Sequence, residues 1–534
     1  MNQAEIRRKQ AVIFTWVPML LYLLWLTGRI GDNGAGYLTA AMQCWMLFMI
    51  PLLFFLPDAE EKLIRSRMAR GQYKNADKIW KGALLYAASA GAVSSLLLFL
   101  LSEIWMKNVL LVPYGMLPLK MIAPALLFTA VSAAVKGYFQ GMGTGMPTVS
   151  SEIMTMIITG IFAALICTKM EVYGEKAAAL LRNEDFIALY GSAGISLGIT
   201  VGCLVGMCFL LFLYLCAGGK KQQRGKDSIR ITESISGAFG LVLAAMRSFV
   251  LEGFLLQLPA VAGVLFFQRE QSDIFRGIDA YGAYGGKCVP WILLSVLPAA
   301  AGCVSLAGKT AFFVKREEFR QGRDCMQSGI TWSVMSGSFA AAAFIAIGPS
   351  LILIFSPQDT GTAGNLLRTG WTVAFLLPSV VLFACILRRG GKEKEILLGL
   401  LTGCALFMIV TVLCLKVTAG SIVSLVYGST AWSAAMLAVC AVLTIRIFRF
   451  RADWLRGVLF PMLSAAASGV IMFMLGRLLI PLLGAAVGAA ICLAAGYLVH
   501  IILILFLKCM REQELEYIPC GRMMEAIGNF LRLL

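Results

Sequence analysis

Residues 136–160, KGYFQGMGTGMPTVSSEIMTMIITG, decide how this chain is built. The stretch closes one long apolar run, turns within a few residues and opens the next. Gly137, Gly141, Gly143 and Gly145 crowd the turn, and glycine permits φ > 0 and close backbone approach. Pro147 suits the first turn of the following helix, where a missing N–H loses nothing. The pattern is a tight re-entry into a membrane, with Lys136, Gln140 and Glu152 around it. Such a turn predicts that Gly141 and Gly145 must stay small.

The same alternation runs through the whole chain. Of 534 residues, 59% are hydrophobic and 14% charged, with a mean hydropathy of +0.82. A soluble domain is about 45–50% apolar and about 25% charged. Apolar runs of about 18 or more residues recur, each able to span about 30 Å of hydrocarbon. No polar block is long enough for a soluble catalytic domain. The basic start, MNQAEIRRKQ, leads into an apolar stretch without a small-residue cleavage site, so it reads as a retained first helix and not a signal peptide. The 15 cysteines are scattered, mostly inside apolar runs, with no CxxC and a single histidine, His500. They read as buried small hydrophobes, not as disulfides or metal ligands.

Hydropathy predicts about fourteen spanning helices. The first six lie near 11–30, 36–56, 80–102, 118–140, 147–169 and 188–217. The next six lie near 233–266, 284–310, 325–356, 362–388, 394–416 and 419–447, and the last two near 455–480 and 483–508. Basic residues crowd alternate connections: 7–9, 62–81, 220–230, 309–323, 388–394, 446–456 and the tail. The excess over the other connections is roughly threefold, which predicts two cytoplasmic termini. Anionic lipid headgroups account for the net charge of +17 without any nucleic acid.

A faint repeat accompanies the count. Tyr37 in GAGYLTAA and Tyr284 in YGAYGGK stand 247 residues apart; Tyr73 in RGQYKNA and Phe319 in KREEFRQG stand 246 apart. The expected architecture is an all-α polytopic membrane protein of two six-helix halves plus two C-terminal helices, a parallel repeat of the transporter kind. Its divisions are 1–217, 233–447, 455–508 and a cytoplasmic amphipathic tail, 509–534. After Pro519, Met523, Met524, Ile527, Phe530, Leu531 and Leu534 share one helical face, which suits the cytoplasmic leaflet.

The YFQG…PT segment resembles the stage V sporulation protein B and lipid II flippase branch of the multidrug/oligosaccharidyl-lipid/polysaccharide (MOP) exporters. The likeness is strongest over 25–165 and looser over 281–330. Thr155 and Met156 stand where the family carries a Glu-Gln pair, and Glu152 where a Gln is common. The resemblance implies a bacterial plasma-membrane flippase without a cofactor. It would move a saccharide on polyprenyl pyrophosphate by alternating access across a cationic cavity, driven by a coupling cation or the membrane potential.

Charge inside the membrane is the remaining chemical signal, since it costs about 2.5–3.5 kcal/mol at a helix centre on insertion scales. Arg247 and Glu252 lie within the seventh segment, in AAMRSFVLEGFLLQLPAV. Their five-residue spacing sets them about 140° apart, so each needs a partner elsewhere. Arg247 either pairs across helices or binds an anionic headgroup; Glu252 would then stand beside a proton or cation route. Pro259 predicts a helix break by freeing the carbonyl of Leu255. Arg29 and Asp32 close the first segment with i,i+3 spacing that allows a mutual pair. The resemblance makes Arg29 a cavity-facing arginine and offers no match for a second one, because Asp32 and Asn33 occupy that stretch. Lys136 and Gln140 are substrate-side candidates and Glu152 an ion-coupling one. Against this stand plain roles: snorkelling for Lys136 and fixing the turn for the others. His500 reads as an interhelical hydrogen bonder, and Gly484 with Gly488 as a G-x-x-x-G packing pair.

Three other classes compete. Twelve segments with acidic residues in the cavity would favour a cation-coupled drug antiporter of the MATE family; fourteen with arginines favour lipid. A membrane-embedded glycosyl or acyl transferase needs a polar catalytic loop, and one histidine leaves little for imidazole acid–base work. A scaffold without transport ranks last.

Overall fold

The computed structural model describes residues 3–216, 233–271, 274–359, 361–448, 453–510, 515, 518 and 521–530. The basic stretch 220–230 and the tail residues Leu531 and Leu534 lie outside these, as do the side chains of Ile527 and Phe530. The first helices are α1 (Gln3–Met49), α2 (Leu56–Met68), α3 (Tyr73–Leu100), α4 (Met116–Ile122), α5 (Ala125–Gly141), α6 (Met146–Leu181), α7 (Asp185–Cys216), α8 (Ile235–Arg269) and α9 (Ile274–Gly282). There follow α10 (Val289–Lys315), α11 (Phe319–Phe355), α12 (Thr362–Thr369), α13 (Trp371–Arg389), α14 (Glu393–Val417), α15 (Val423–Phe448), α16 (Phe460–Phe506) and α17 (Gly521–Phe530). Short π-helical turns interrupt them at Ile50–Phe54 and Ala283–Cys288, and no strand occurs among the described residues.

The chain is therefore an all-α polytopic protein. Twelve runs among the described residues are long and apolar enough to cross a membrane. The predicted segments 11–30 and 36–56 share the run Arg7–Met68, and 455–480 and 483–508 share Leu455–Phe506. Each shared run breaks at one glycine: Gly31 at φ 74, ψ 178, and Gly484 at φ 81, ψ 166. That backbone region belongs essentially to glycine alone. At Gly484 the helix folds back on itself. Gly488 lies against Ile480, Gly496 against Met472, and Ser464 against His500, pairs nearly equidistant from the break.

Two compact units form: Met1–Arg29 with Ala283–Leu534, and Ile30–Gly282. Relative to the predicted halves, the first segment packs in the unit of the second half, and the seventh in that of the first.

In the unit Ile30–Gly282, α6 and α7 run antiparallel. Gly194, Gly198, Gly202 and Gly206 of α7 lie on Cys167, Ala163, Thr159 and Thr155 of α6. Small residues let the backbones approach closely where lipid gives no hydrophobic drive. The seventh segment, α8, joins by the same means: Gly82 of α3 meets the backbone of Ala238 and Phe239, and Gly253 meets Pro51. Phe249 stacks on Phe55 with centroids 5.2 Å apart, and Arg67 Nη2 reaches Glu233 Oε1 at 2.7 Å. The helix runs through Pro259 without the predicted break.

In the other unit, the first part of α1 is held at both ends. Gln10 Nε2 donates to the Ala301 carbonyl at 3.3 Å and Thr27 Oγ1 to the Gly286 carbonyl at 2.9 Å. Gly28 abuts the carbonyl of Phe355. Just beyond these anchors, Lys287 Nζ and Asp359 Oδ1 form a buried pair at 3.6 Å. All described cysteines are free thiols.

Candidate functional site

The opening stretch forms the end of α5, a short turn and the start of α6. The turn conformation falls on Gly143, at φ 87. Gly145 precedes α6 at φ −94, ψ −17, so its backbone conformation does not require glycine. Gly141 is small for a different reason than turn tightness. A methyl group on it would lie 2.7 Å from Ile64 Cβ of α2.

The turn brings three predicted residues together. Lys136 Nζ meets Glu152 Oε1 at 2.6 Å, with the side chains 17% and 25% exposed. Gln140 Nε2 donates to Thr148 Oγ1 at 3.2 Å. Gln140 Oε1 is buried and has no hydrogen-bond partner among the described residues. Next to them Tyr138 packs between Trp80 and Tyr214, with ring centroids 5.4 Å and 5.3 Å away. Helix packing and one half-buried ion pair thus occupy much of this motif.

The seventh-segment pair sits on opposite faces of α8, as its 140° spacing requires. Glu252 is buried on the side where Gly253 meets Pro51. Arg247 is exposed, and the leucines one turn away on either side, Leu243 and Leu251, are exposed with it. No ion pair involves Arg247 among the described residues.

Arg29 is exposed and Asp32 half-buried. Gly31 breaks the helix between them. Asn33 Nδ2 donates to Asp185 Oδ1 of α7 at 3.1 Å, which engages the stretch where the family's second arginine has no match. His500 is buried with both ring nitrogens engaged, as read from the sequence.

Sequence reasoning missed Glu60 on α2, a fully buried carboxyl seated on Gly137. Its signal was available in the matching spacing of Glu60 and Ile64 on α2 and of Gly137 and Gly141 on α5.

No family model matches the chain. It is 25% identical over 192 residues to stage V sporulation protein B of Bacillus subtilis (strain 168), 36% of this chain and 34% of that protein. It is 21% identical over 184 residues to lipid II flippase MurJ of the same organism, 33% of this chain and 34% of that one. The chain thus matches these relatives over about a third of their length. Among solved structures, an inward-facing multidrug resistance MATE family transporter of the MOP superfamily superposes with a TM-score of 0.64 at 12% identity, covering 84% of this chain and 99% of that one. Lipid II flippase MurJ in its inward closed conformation superposes with a TM-score of 0.60 at 12% identity, covering 93% and 98%. The MOP-exporter resemblance carried by YFQG…PT is borne out, and the fold is that of these transporters.

Proposed function

We propose that this chain is a flippase that carries a lipid-linked oligosaccharide, a saccharide on polyprenyl pyrophosphate, across a bacterial plasma membrane by alternating access. The observation that carries this reading is the sequence similarity to lipid II flippase MurJ and stage V sporulation protein B. Arg247 supplies matching chemistry: an exposed guanidinium on an apolar helix face, of the planar, bidentate kind that suits pyrophosphate. In this reading Arg29, Lys136 and Gln140 serve the headgroup, with Asp32 beside them. Glu152 and Glu252 serve a coupling cation, and both termini are cytoplasmic. The repeat halves remain 1–217 and 233–447, followed by two helices, 455–508, and a tail, 509–534.

A cation-coupled antiporter is the second reading, supported by the TM-score of 0.64 to a MATE transporter. Reconstitution separates the two. Vesicles holding the protein and a fluorescent polyprenyl-pyrophosphate saccharide should lose leaflet asymmetry faster than empty vesicles. Efflux of an organic cation under an ion gradient, without lipid movement, would favour the antiporter.

A further inference from the structure

Glu60 plays no part in the reading above, and its surroundings are unusual. It is 0% exposed, and neither carboxyl oxygen has a hydrogen-bond partner among the described residues. A methyl group on Gly137 would lie 2.9 Å from Glu60 Cβ and Cδ and would overlap Oε2. One turn along, Ile64 fills the same role over Gly141. The G-x-x-x-G face of α5 is therefore a groove that receives Glu60 and Ile64, which share a face of α2. Gln140, in the same turn of α5, adds a third buried oxygen without a partner.

Nearby charges do not neutralise Glu60. On α2, Glu61 pairs with Arg65 at 2.8 Å, Arg67 with Glu233 at 2.7 Å, and Lys62 lies over the Phe249 ring at 5.5 Å; Asp58 is two residues before Glu60. On α5, Lys136 is held by Glu152. On α3, Asp77 pairs with Lys81 at 3.0 Å, and Lys74 and Lys78 lie in the same turns. On α8, Arg247 is exposed and Glu252 buried. None of these forms an ion pair with Glu60.

An ionised carboxylate without a partner in such a place is strongly disfavoured, whereas the neutral acid is tolerated. A hard metal cation takes about six oxygen ligands, and no cluster of three or more metal-ligating side chains occurs among the described residues.

We propose that Glu60 is a proton-carrying carboxyl of the transport cycle. It holds its proton while α2 lies in the α5 groove. It gives that proton to water, leaving a carboxylate, when the groove opens. This rests on the transporter reading and adds a proton site on α2 to the carboxyls of Glu152 and Glu252.

Infrared difference spectroscopy of the purified protein, in H2O and D2O, reads a protonated carboxyl without any substrate. At neutral pH the wild type should show a carboxylic-acid carbonyl band that Glu60→Gln abolishes and Glu152→Gln retains. Glu60→Asp should shift the band, which keeps the test open if the glutamine variant does not fold. Glu60→Gln preserves the shape of the neutral acid, so it should melt at or above the wild-type temperature. In vesicles it should flip lipid at a rate indifferent to a proton gradient. A band unchanged in Glu60→Gln, a glutamine variant that melts well below wild type, or one whose flipping still follows the proton gradient as in wild type overturns the proposal. If the wild type moves no lipid, the flippase reading fails and the carrying role with it, while the infrared and melting results still decide whether Glu60 holds a proton in the closed groove.

Discussion

Ser464 and His500 stand 36 residues apart in one helical run, yet Ser464 Oγ lies 2.8 Å from His500 Nδ1. The contact forces a reversal between them, and Gly484 makes it without a loop. His500 Nε2 faces the Met335 carbonyl at 3.2 Å. A carbonyl can only accept, so Nε2 donates, and the one hydroxyl proton of Ser464 faces both Nδ1 and the His500 carbonyl, 3.0 Å away. This hydrogen-bond chain ties both arms of the hairpin to α11.

Gly484→Ala should destabilise the fold by about 1–3 kcal/mol, because φ 81 with ψ 166 is closed to a residue with a Cβ. Nothing lies within 4 Å of the added methyl, so the loss is conformational and not steric. A thermal melt in detergent measures it. A melting temperature equal to wild type would show that the hairpin does not depend on this backbone state.

The hairpin also bears on topology. A run of 52 residues, Leu455–Phe506, extends about 78 Å at 1.5 Å per residue, more than twice the hydrocarbon thickness of about 30 Å. The proposed cytoplasmic termini, with two crossings in this run, would place its tip outside. Leu482, 78% exposed, should react as Leu482→Cys with an impermeant thiol reagent added outside cells. Labelling only after permeabilisation would overturn the fourteen-crossing arrangement.

Apolar length was legible in the sequence, and so were the helices it produces: the seventh segment read as 233–266 is Ile235–Arg269. The breaks at Gly31 and Gly484 were legible only as short gaps between segments, at 30–36 and 480–483; the backbone angles that make them without a polar loop were not. Burial of charge was legible only where the charge sits in an apolar run. Glu252 stands out among leucines. Glu60 lies in PDAEEKLIRSR, which looks like a cytoplasmic basic loop, and only the opposing Gly137 shows that it is buried. Pro259 failed as a break signal because α8 is packed on both sides of it, by Gly253 on Pro51 and by buried Phe267.

The three turn glycines should separate by mechanism. Gly141→Val drives a side chain into Ile64, whose Cβ and Cγ2 both lie 2.7 Å from the first added carbon, and overpacking of this kind costs about 1–3 kcal/mol. Gly143→Val is strained by φ 87 alone. Gly145→Val should be tolerated. Yields of folded protein from membranes, compared across the three, check the order. Equal losses at Gly141 and Gly145 would restore turn tightness as the constraint.

Lys136 and Glu152 should behave as one unit. Removing either partner leaves a half-buried charge, so Lys136→Met and Glu152→Gln should each lower stability by about 1–3 kcal/mol. The double variant should recover part of that loss, with a coupling of about 0.5–3 kcal/mol. Melting temperatures of the four proteins complete the cycle. Additive losses would mean that the pair does not hold the turn.

Arg247→Ala should leave the melting temperature unchanged while reducing lipid flipping. The side chain is exposed and ends no ion pair among the described residues, so its removal strands no buried carboxylate. That separates it from Lys136, whose loss strands Glu152. A charge-assisted contact to a phosphate contributes about 1.5–3 kcal/mol, so headgroup capture should weaken roughly ten- to a hundredfold. Arg247→Lys should restore only part of it, because an ammonium is a point charge and a guanidinium offers two parallel donors. The measurement is flipping per folded molecule beside a detergent melt. A large fall in melting temperature, with flipping per folded molecule unchanged, would make Arg247 a packing residue and remove the anion ligand on which the pyrophosphate reading leans.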